Sequence, residues 1–329
     1  MLNIKDEIPA DFFNVDASGL KDVLDGPTLF HIKGGRQPAL FVSVLLHGNE
    51  PTGFEAVRAV LPRYAPFGGA KPLPRDISLF VGNVEAAAQG LRRLKGQPDF
   101  NRVWPGTEEP ASPESRMMAD VVEQMKRRGV FVSIDFHNNT GLNPHYACVN
   151  SLDHLHLQLA TLFSRTVTYF RVPKGVQSLA FSELCPSTTI ECGHVSKPGG
   201  LDHAAGFLDA CIHLSHVPEH AVAEHDLDLF HTVARVTING GMSFSFDGQA
   251  ADIMFAPQID HLNFTELKQG HAIGRTGHGI LKPLLAMDEA GRDVTDQYFE
   301  VLGEVIYMHR RAMPSMLTMD ERAIRQDCF

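Results

Sequence analysis

Ala39-Leu40-Phe41-Val42-Ser43-Val44-Leu45-Leu46-His47-Gly48-Asn49-Glu50-Pro51 is the stretch on which the fold turns. Its first eight residues are apolar except at Ser43. That is the pattern of a strand covered on both faces. Beyond Pro51, Phe54, Val57, Val60 and Leu61 recur at helical spacing. A proline in a first helical turn forfeits no hydrogen bond. A buried strand feeding an amphipathic helix is the repeating unit of an α/β sheet. Between the two stand His47 and Glu50, three apart. An imidazole and a carboxylate so placed can share one divalent metal. Zinc accepts mixed nitrogen and oxygen donors, and in catalytic sites it keeps one position open.

The alternation continues outward. Strand-like runs cover 28–33, 77–81, 130–136, 166–170 and 188–190, and helical patterns cover 115–128, 152–164 and 202–213. The runs at 28–33 and 39–46 flank the turn-rich Gly34-Gly35-Arg36-Gln37-Pro38 and are expected to pair as a hairpin. From about Glu219 the texture changes to short β-type segments at 233–238, 242–246, 273–275 and 298–308, separated by Gly240-Gly241, Asp247-Gly248 and Gly277-His278-Gly279. The expected fold class is α/β, a mixed, mainly parallel sheet with helices on both faces, plus a smaller C-terminal β-rich domain. The expected boundaries are 1–225 and 226–329.

The chain's 329 residues exceed the usual size of a single core, in line with two domains. A formal charge of −10 argues against nucleic-acid binding. Five Cys (148, 185, 192, 211, 328) with no CxxC pair make neither a disulfide framework nor a thiolate zinc site, which suits a reducing cytoplasmic setting. The N-terminus lacks a basic start and apolar core, and no run approaches the ~20 residues that span a bilayer. No membrane partner is expected, and homo-oligomerisation is compatible with the sequence.

His47, Asn83, His137 and Glu191 each stand just past the end of a different expected strand, the rim where open α/β sheets bind ligands. His47, Glu50 and His137 would form a His₂Glu set holding one zinc per chain, of the kind found in catalytic sites. Glu191 would be the base that takes a proton from water and passes it to a leaving amine. Asp135 is expected to face away from His137 unless the strand bends. Arg92, Arg93, Asn101 and Arg102 lie in a polar loop after Asn83, too long for a mere connector. Their guanidinium groups suit a small carboxylate substrate or an oxyanion.

These pieces together resemble the succinylglutamate desuccinylase/aspartoacylase family, relatives of the zinc carboxypeptidases. The resemblance rests on His47-Gly48-Asn49-Glu50, Asn83, Arg92, Asp99-Phe100-Asn101-Arg102, Asp135-Phe136-His137-Asn138 and Ile190-Glu191-Cys192-Gly193, in order over about 28–210. It implies a zinc carboxypeptidase-like fold with His47, Glu50 and His137 as zinc ligands and Glu191 as the catalytic carboxylate. Arg92 would polarise the carbonyl, with Arg93 as its rival, and Asn101 and Arg102 would grip the substrate's α-carboxylate. The implied activity is hydrolysis of a small N-acyl amino acid, with a metallo-carboxypeptidase of short peptides as the alternative. The segment Ser178-Leu179-Ala180-Phe181-Ser182-Glu183-Leu184 lacks the arginine with which aspartoacylases bind the acyl carboxylate. Cys192 and His194 also depart from the residues expected after the catalytic Glu. A tyrosine of the second domain closes some sites of the family, and Tyr298 and Tyr307 are the candidates.

Overall fold

A computed structural model of the chain describes residues 2–326. The chain forms two compact units, one running to Asn138 and resuming over His145–His231, the other comprising Asn139–Pro144 and the chain from Thr232 onward.

The first unit is built on nine strands: β1 (Asn3–Lys5), β2 (Thr28–Ile32), β3 (Ala39–Val44), β4 (Ile77–Val81), β5 (Val130–Asn139), β6 (Tyr146–Val149), β7 (Thr166–Tyr169), β8 (Ser187–His194) and β9 (Asp228–His231). Their order across the sheet is β1-β2-β4-β3-β5-β8-β6-β7-β9. β3 is parallel to both β4 and β5, and β7 is parallel to both β6 and β9, while β2–β4 and β6–β8 are antiparallel. The mixed, mainly parallel sheet is thus as expected.

Seven helices accompany it: α1 (Leu20–Val23), α2 (Thr52–Val60), α3 (Val84–Ala87), α4 (Pro113–Arg128), α5 (His154–Thr161), α6 (Gln177–Phe181) and α7 (Gly200–His213). The two-residue period of β3 divides them between two faces. Leu40, Val42 and Val44 pack into one core with Phe54 and Val57 of α2 and Leu208 of α7. Ala39 and Phe41 pack into a second core with Met118 and Val121 of α4 and Phe181 of α6. Burying each large side chain contributes about 1.5–3 kcal/mol relative to leaving it in water. Helix α4 opens with a reciprocal cap: the Ser115 amide donates to Ser112 Oγ at 3.0 Å, and the Ser112 amide donates to Ser115 Oγ at 2.9 Å.

The expected hairpin of 28–33 with 39–46 does not form. β4 lies between β2 and β3 and pairs with both. The loop over 33–38 bonds instead to the approach to β4: Gly35 N donates to Leu73 O, Asp76 N to Arg36 O, and Gly34 N to Asp76 Oδ1 at 2.7 Å. Gly34 lies so close that a Cβ there would meet the Arg75 carbonyl oxygen at 2.3 Å. The Gly-Gly pair serves a close backbone crossing rather than a tight turn.

The second unit carries β10 (Ala234–Ile238), β11 (Phe244–Ser245), β12 (Ile253–Phe255), β13 (Ala272–Thr276), β14 (Leu284–Asp288), β15 (Phe299–Leu302) and β16 (Val305–Met308). β10 pairs with β14, and the other five form a sheet in the order β11-β12-β13-β16-β15. Within the run over 298–308, Phe299–Leu302 and Val305–Met308 form a hairpin turning at Gly303 (φ 65°), while Tyr298 ends a short helical turn. Its core gathers Ile253, Phe255, Ile273, Ile306 and Met308. Among the described residues no helix is long and apolar enough to cross a membrane. Cys148, Cys185, Cys192 and Cys211 are buried and unbridged, and Cys328 lies outside the described residues.

Candidate metal centre and active site

The chain leaves β3 through Leu45, a non-glycine residue at φ 57° whose carbonyl accepts from Asn83 N at 2.6 Å. Such a conformation costs about 1–3 kcal/mol and persists only where surrounding structure enforces it. It redirects the backbone immediately before His47. Gly48 then lies against α3, where a Cβ would sit 2.2 Å from Ala87 N, and Gly48 N donates to Arg92 O at 3.1 Å. His47 and Glu50 are therefore fixed by a backbone path that no larger residue at 48 could follow.

His47, Glu50 and His137 converge, each buried, with one donor atom of each within 4.8 Å of the others. His47 Nδ1 lies 2.9 Å from Glu50 Oε1, His137 Nδ1 lies 2.7 Å from Glu50 Oε2, and the two Nδ1 atoms are 3.2 Å apart. The outer nitrogens each meet a carboxylate: His47 Nε2 is 2.9 Å from Asp99 Oδ1, and His137 Nε2 is 2.8 Å from Asp135 Oδ2. In a neutral imidazole, a carboxylate on Nε2 keeps the proton there and leaves Nδ1 as a lone pair. Two lone pairs and a carboxylate then face one another, an arrangement that a cation between them stabilises. The 3.2 Å between the ring nitrogens is close to the ~3.3 Å that separates two ligands of a tetrahedral zinc at ~2.0 Å. The donor set fits zinc.

Within the cluster, opposite charges outweigh burial. Burial alone would raise the Glu50 carboxyl, but the His47 and His137 rings outweigh it and hold the group below its ordinary range. Burial of Asp99 is outweighed in the same way by His47 and Arg92. Burial opposes protonation of His137, but Asp135 and Glu50 prevail and hold it well above the usual imidazole value. The Cys148 and Cys192 thiols are pushed well up by burial, with the Glu191 charge adding to it, so neither is a thiolate donor.

Asp135 corrects an expectation. Positions two apart along a strand share a face, and Asp135 faces the same way as His137, opposite Val132, Ile134 and Phe136 of the α2 and α7 core. His137 and Glu191 also lie within β5 and β8 rather than past their ends. On β8, Ile190 and Cys192 enter the α2 and α7 core. Glu191 therefore takes the face of Asp135 and His137. It is 6% exposed, and its Oε2 has no hydrogen-bond partner among the described residues. Burial pushes its carboxyl up to about 7, with Glu50 and Asp135 adding to the rise and His137 and His47 opposing it.

The loop arginines separate. Arg92 reaches Asp99 Oδ2 through Nε (3.1 Å) and Nη2 (2.9 Å), and its Nη1 is 3.4 Å from Glu50 Oε1. Arg93 donates to Gln97 O at 3.0 Å within its own loop. Arg102 Nη1 donates to Asn101 O at 2.8 Å. Asn101 is turned to His137, its Nδ2 being 3.1 Å from His137 Nε2, while its Oδ1 accepts from Gln177 N at 2.9 Å. Asn83 caps α3 through Ala86 N and holds Gln97, so it shapes the loop instead of joining the cluster. Tyr298 and Tyr307 belong to the second unit, where Arg310 lies over the Tyr298 ring at 5.3 Å.

Sequence reasoning missed the roles of Asp99 and Asn138. Asp99 stands two residues before Asn101, and its partners become visible only when the loop folds back over His47. Asn138 N donates to Glu50 Oε2 at 3.2 Å, its Oδ1 accepts from Thr52 N, and its Nδ2 donates to Gly193 O at 2.9 Å. One side chain thereby links the start of α2 to β8 just beyond Glu191.

Residues 36–193 match the family model for the succinylglutamate desuccinylase/aspartoacylase catalytic domain. The fold is similar to that of solved structures at low identity. Succinylglutamate desuccinylase from Chromobacterium violaceum is 19% identical with a TM-score of 0.52, over 84% of this chain and 86% of that one. The enzyme of the same name from Vibrio parahaemolyticus is 15% identical with a TM-score of 0.55, over 87% and 89%. A succinylglutamate desuccinylase/aspartoacylase from Rhodobacter sphaeroides is 14% identical with a TM-score of 0.53, over 88% and 85%. No curated protein matches the chain. Members of the matched family are deacylating hydrolases. The motif order, the fold and the matched span agree: residues 36–193 of the α/β unit are similar to the catalytic domain of the succinylglutamate desuccinylase/aspartoacylase family.

Proposed function

We propose that this chain is a zinc-dependent deacylase that hydrolyses the amide bond of a small N-acyl amino acid. The observation that carries the reading is the inward-facing triangle of His47 Nδ1, His137 Nδ1 and the Glu50 carboxylate. Glu191, a buried carboxylate with a free oxygen, stands on the same face of the sheet. His47, Glu50 and His137 would hold the metal. Bound there, zinc supplies Lewis acidity that acidifies a water and polarises the amide carbonyl.

The chain's own residues supply the rest. Glu191 takes the attacking water's proton on Oε2 and hands it to the departing amine nitrogen, the step that makes the amine a tolerable leaving group. Its burial favours this, since a base with a raised pKa both accepts and returns a proton near neutral pH. Arg92, held by Asp99 beside Glu50, stabilises the charge that grows on the carbonyl oxygen. Arg102 grips the α-carboxylate of the amino-acid portion. Asn101 joins that grip by turning its Nδ2 away from His137. The segment before Glu191 carries no arginine, and its Ser178 Oγ is spent on Asn150 Oδ1 at 2.7 Å. This favours an acyl group with no carboxylate of its own.

A panel of N-acetyl and N-succinyl amino acids and dipeptides, offered to the zinc-loaded protein, tests the reading. Release of acetate from N-acetyl amino acids, slower release of succinate and no cleavage of dipeptides is the expected pattern. Cleavage of dipeptides alone would make the chain a metallo-carboxypeptidase and remove the deacylase assignment.

A further inference from the structure

Ser43 is the one polar side chain of β3 and is completely buried. A hydroxyl in an otherwise apolar strand costs free energy unless it finds a partner. Its partner is chosen by strand register: β3 and β5 are parallel, and Ser43 stands opposite Asp135. Ser43 Oγ donates to Asp135 Oδ1 at 2.7 Å, a shorter contact than the 3.4 Å to Ile134 O. A hydroxyl donating to a carboxylate at this separation is a charge-assisted bond, about twice as strong as a neutral one.

Asp135 is itself fully buried, and its other oxygen accepts from His137 Nε2 at 2.8 Å and from Asn101 Nδ2 at 3.4 Å. Every donor that reaches this carboxylate has a fixed origin. Ser43 holds one oxygen from a neighbouring strand, and His137 and Asn101 share the second. Without the hydroxyl, Oδ1 would be a buried, unsatisfied anion, and the carboxylate would lose the contact that fixes its rotation. His137 would then lose the alignment that turns its Nδ1 towards Glu50 and His47.

We propose that Ser43 is a positioning residue of the metal centre, acting on His137 through Asp135. The inference rests on the zinc reading given above. Groups that orient a ligand from behind change metal affinity by about 10–100-fold when removed.

The test is zinc affinity of the full chain, measured by competition with a chromophoric chelator, for wild type, Ser43→Ala, Asp135→Asn and the double variant. Ser43→Ala should weaken zinc binding about tenfold or more in the wild-type background. In the Asp135→Asn background the same change should cost less than about threefold, since the partner it acts through is already altered. A purely structural role would carry the full loss into both backgrounds and would overturn the proposal. Unchanged affinity of Ser43→Ala would overturn it too, while leaving the zinc reading intact. Wild type that takes up no zinc would overturn both. Should Ser43→Ala fail to fold, Ser43→Cys carries the same comparison, since it keeps nearly the same volume with only a weak donor.

Discussion

At the scale of single residues, the centre is defined by which nitrogen of each imidazole is left over. Asp99 and Asp135 occupy the Nε2 atoms, so both Nδ1 atoms turn to Glu50. Arg92 closes the outer side, bridging Asp99 and Glu50, and Arg102 is the loop cation proposed for the substrate's carboxylate. That assignment separates binding from chemistry. Arg102→Ala should raise KM about tenfold or more for substrates with a free α-carboxylate, as loss of a charge-assisted pair does, with little change in kcat. Amidated substrates should be nearly indifferent to it. Steady-state kinetics on matched carboxylate and amide substrates decide the matter, and equal effects on both would remove Arg102 from carboxylate recognition.

At the scale of elements, the strands were legible because burial on both faces leaves an apolar run, as in 39–44 and 77–81. Their pairing was not. Periodicity reports that a segment is a strand, and turn composition reports that the chain bends, but neither names the neighbour. Gly34 shows the difference, since it is there for the crossing over Arg75 and not for a hairpin. Gly34→Ala should therefore destabilise the protein by about 1–3 kcal/mol, the usual cost of forcing a methyl group into a packed site. Urea denaturation measures it. A hairpin-turn glycine open to solvent would tolerate the change within a few tenths of a kcal/mol, and that result would contradict the crossing. Short β6 escaped notice for another reason, because four buried residues carry too little pattern to separate a strand from a loop.

At the scale of the whole molecule, the site is assembled from the α/β unit by strand order. β3, β5 and β8 are consecutive in the sheet, and they bring His47 and Glu50, then Asp135 and His137, then Glu191 to one side. That His47, Glu50 and His137 cluster, with the carboxylate on β8 on the same face, was legible because their chemistry is concentrated in short motifs. The supports were not, since Ser43, Asp99 and Asn138 acquire partners only through register and loop closure. The proposed function divides the labour, assigning the metal to His47, Glu50 and His137 and proton transfer to Glu191. The decisive measurement is zinc content and turnover of Glu191→Gln beside wild type on the same N-acyl amino acid. Zinc should remain near one per chain while turnover falls by about 10²–10⁴-fold, the range lost with a general base. A variant that keeps both its zinc and comparable turnover would contradict the account.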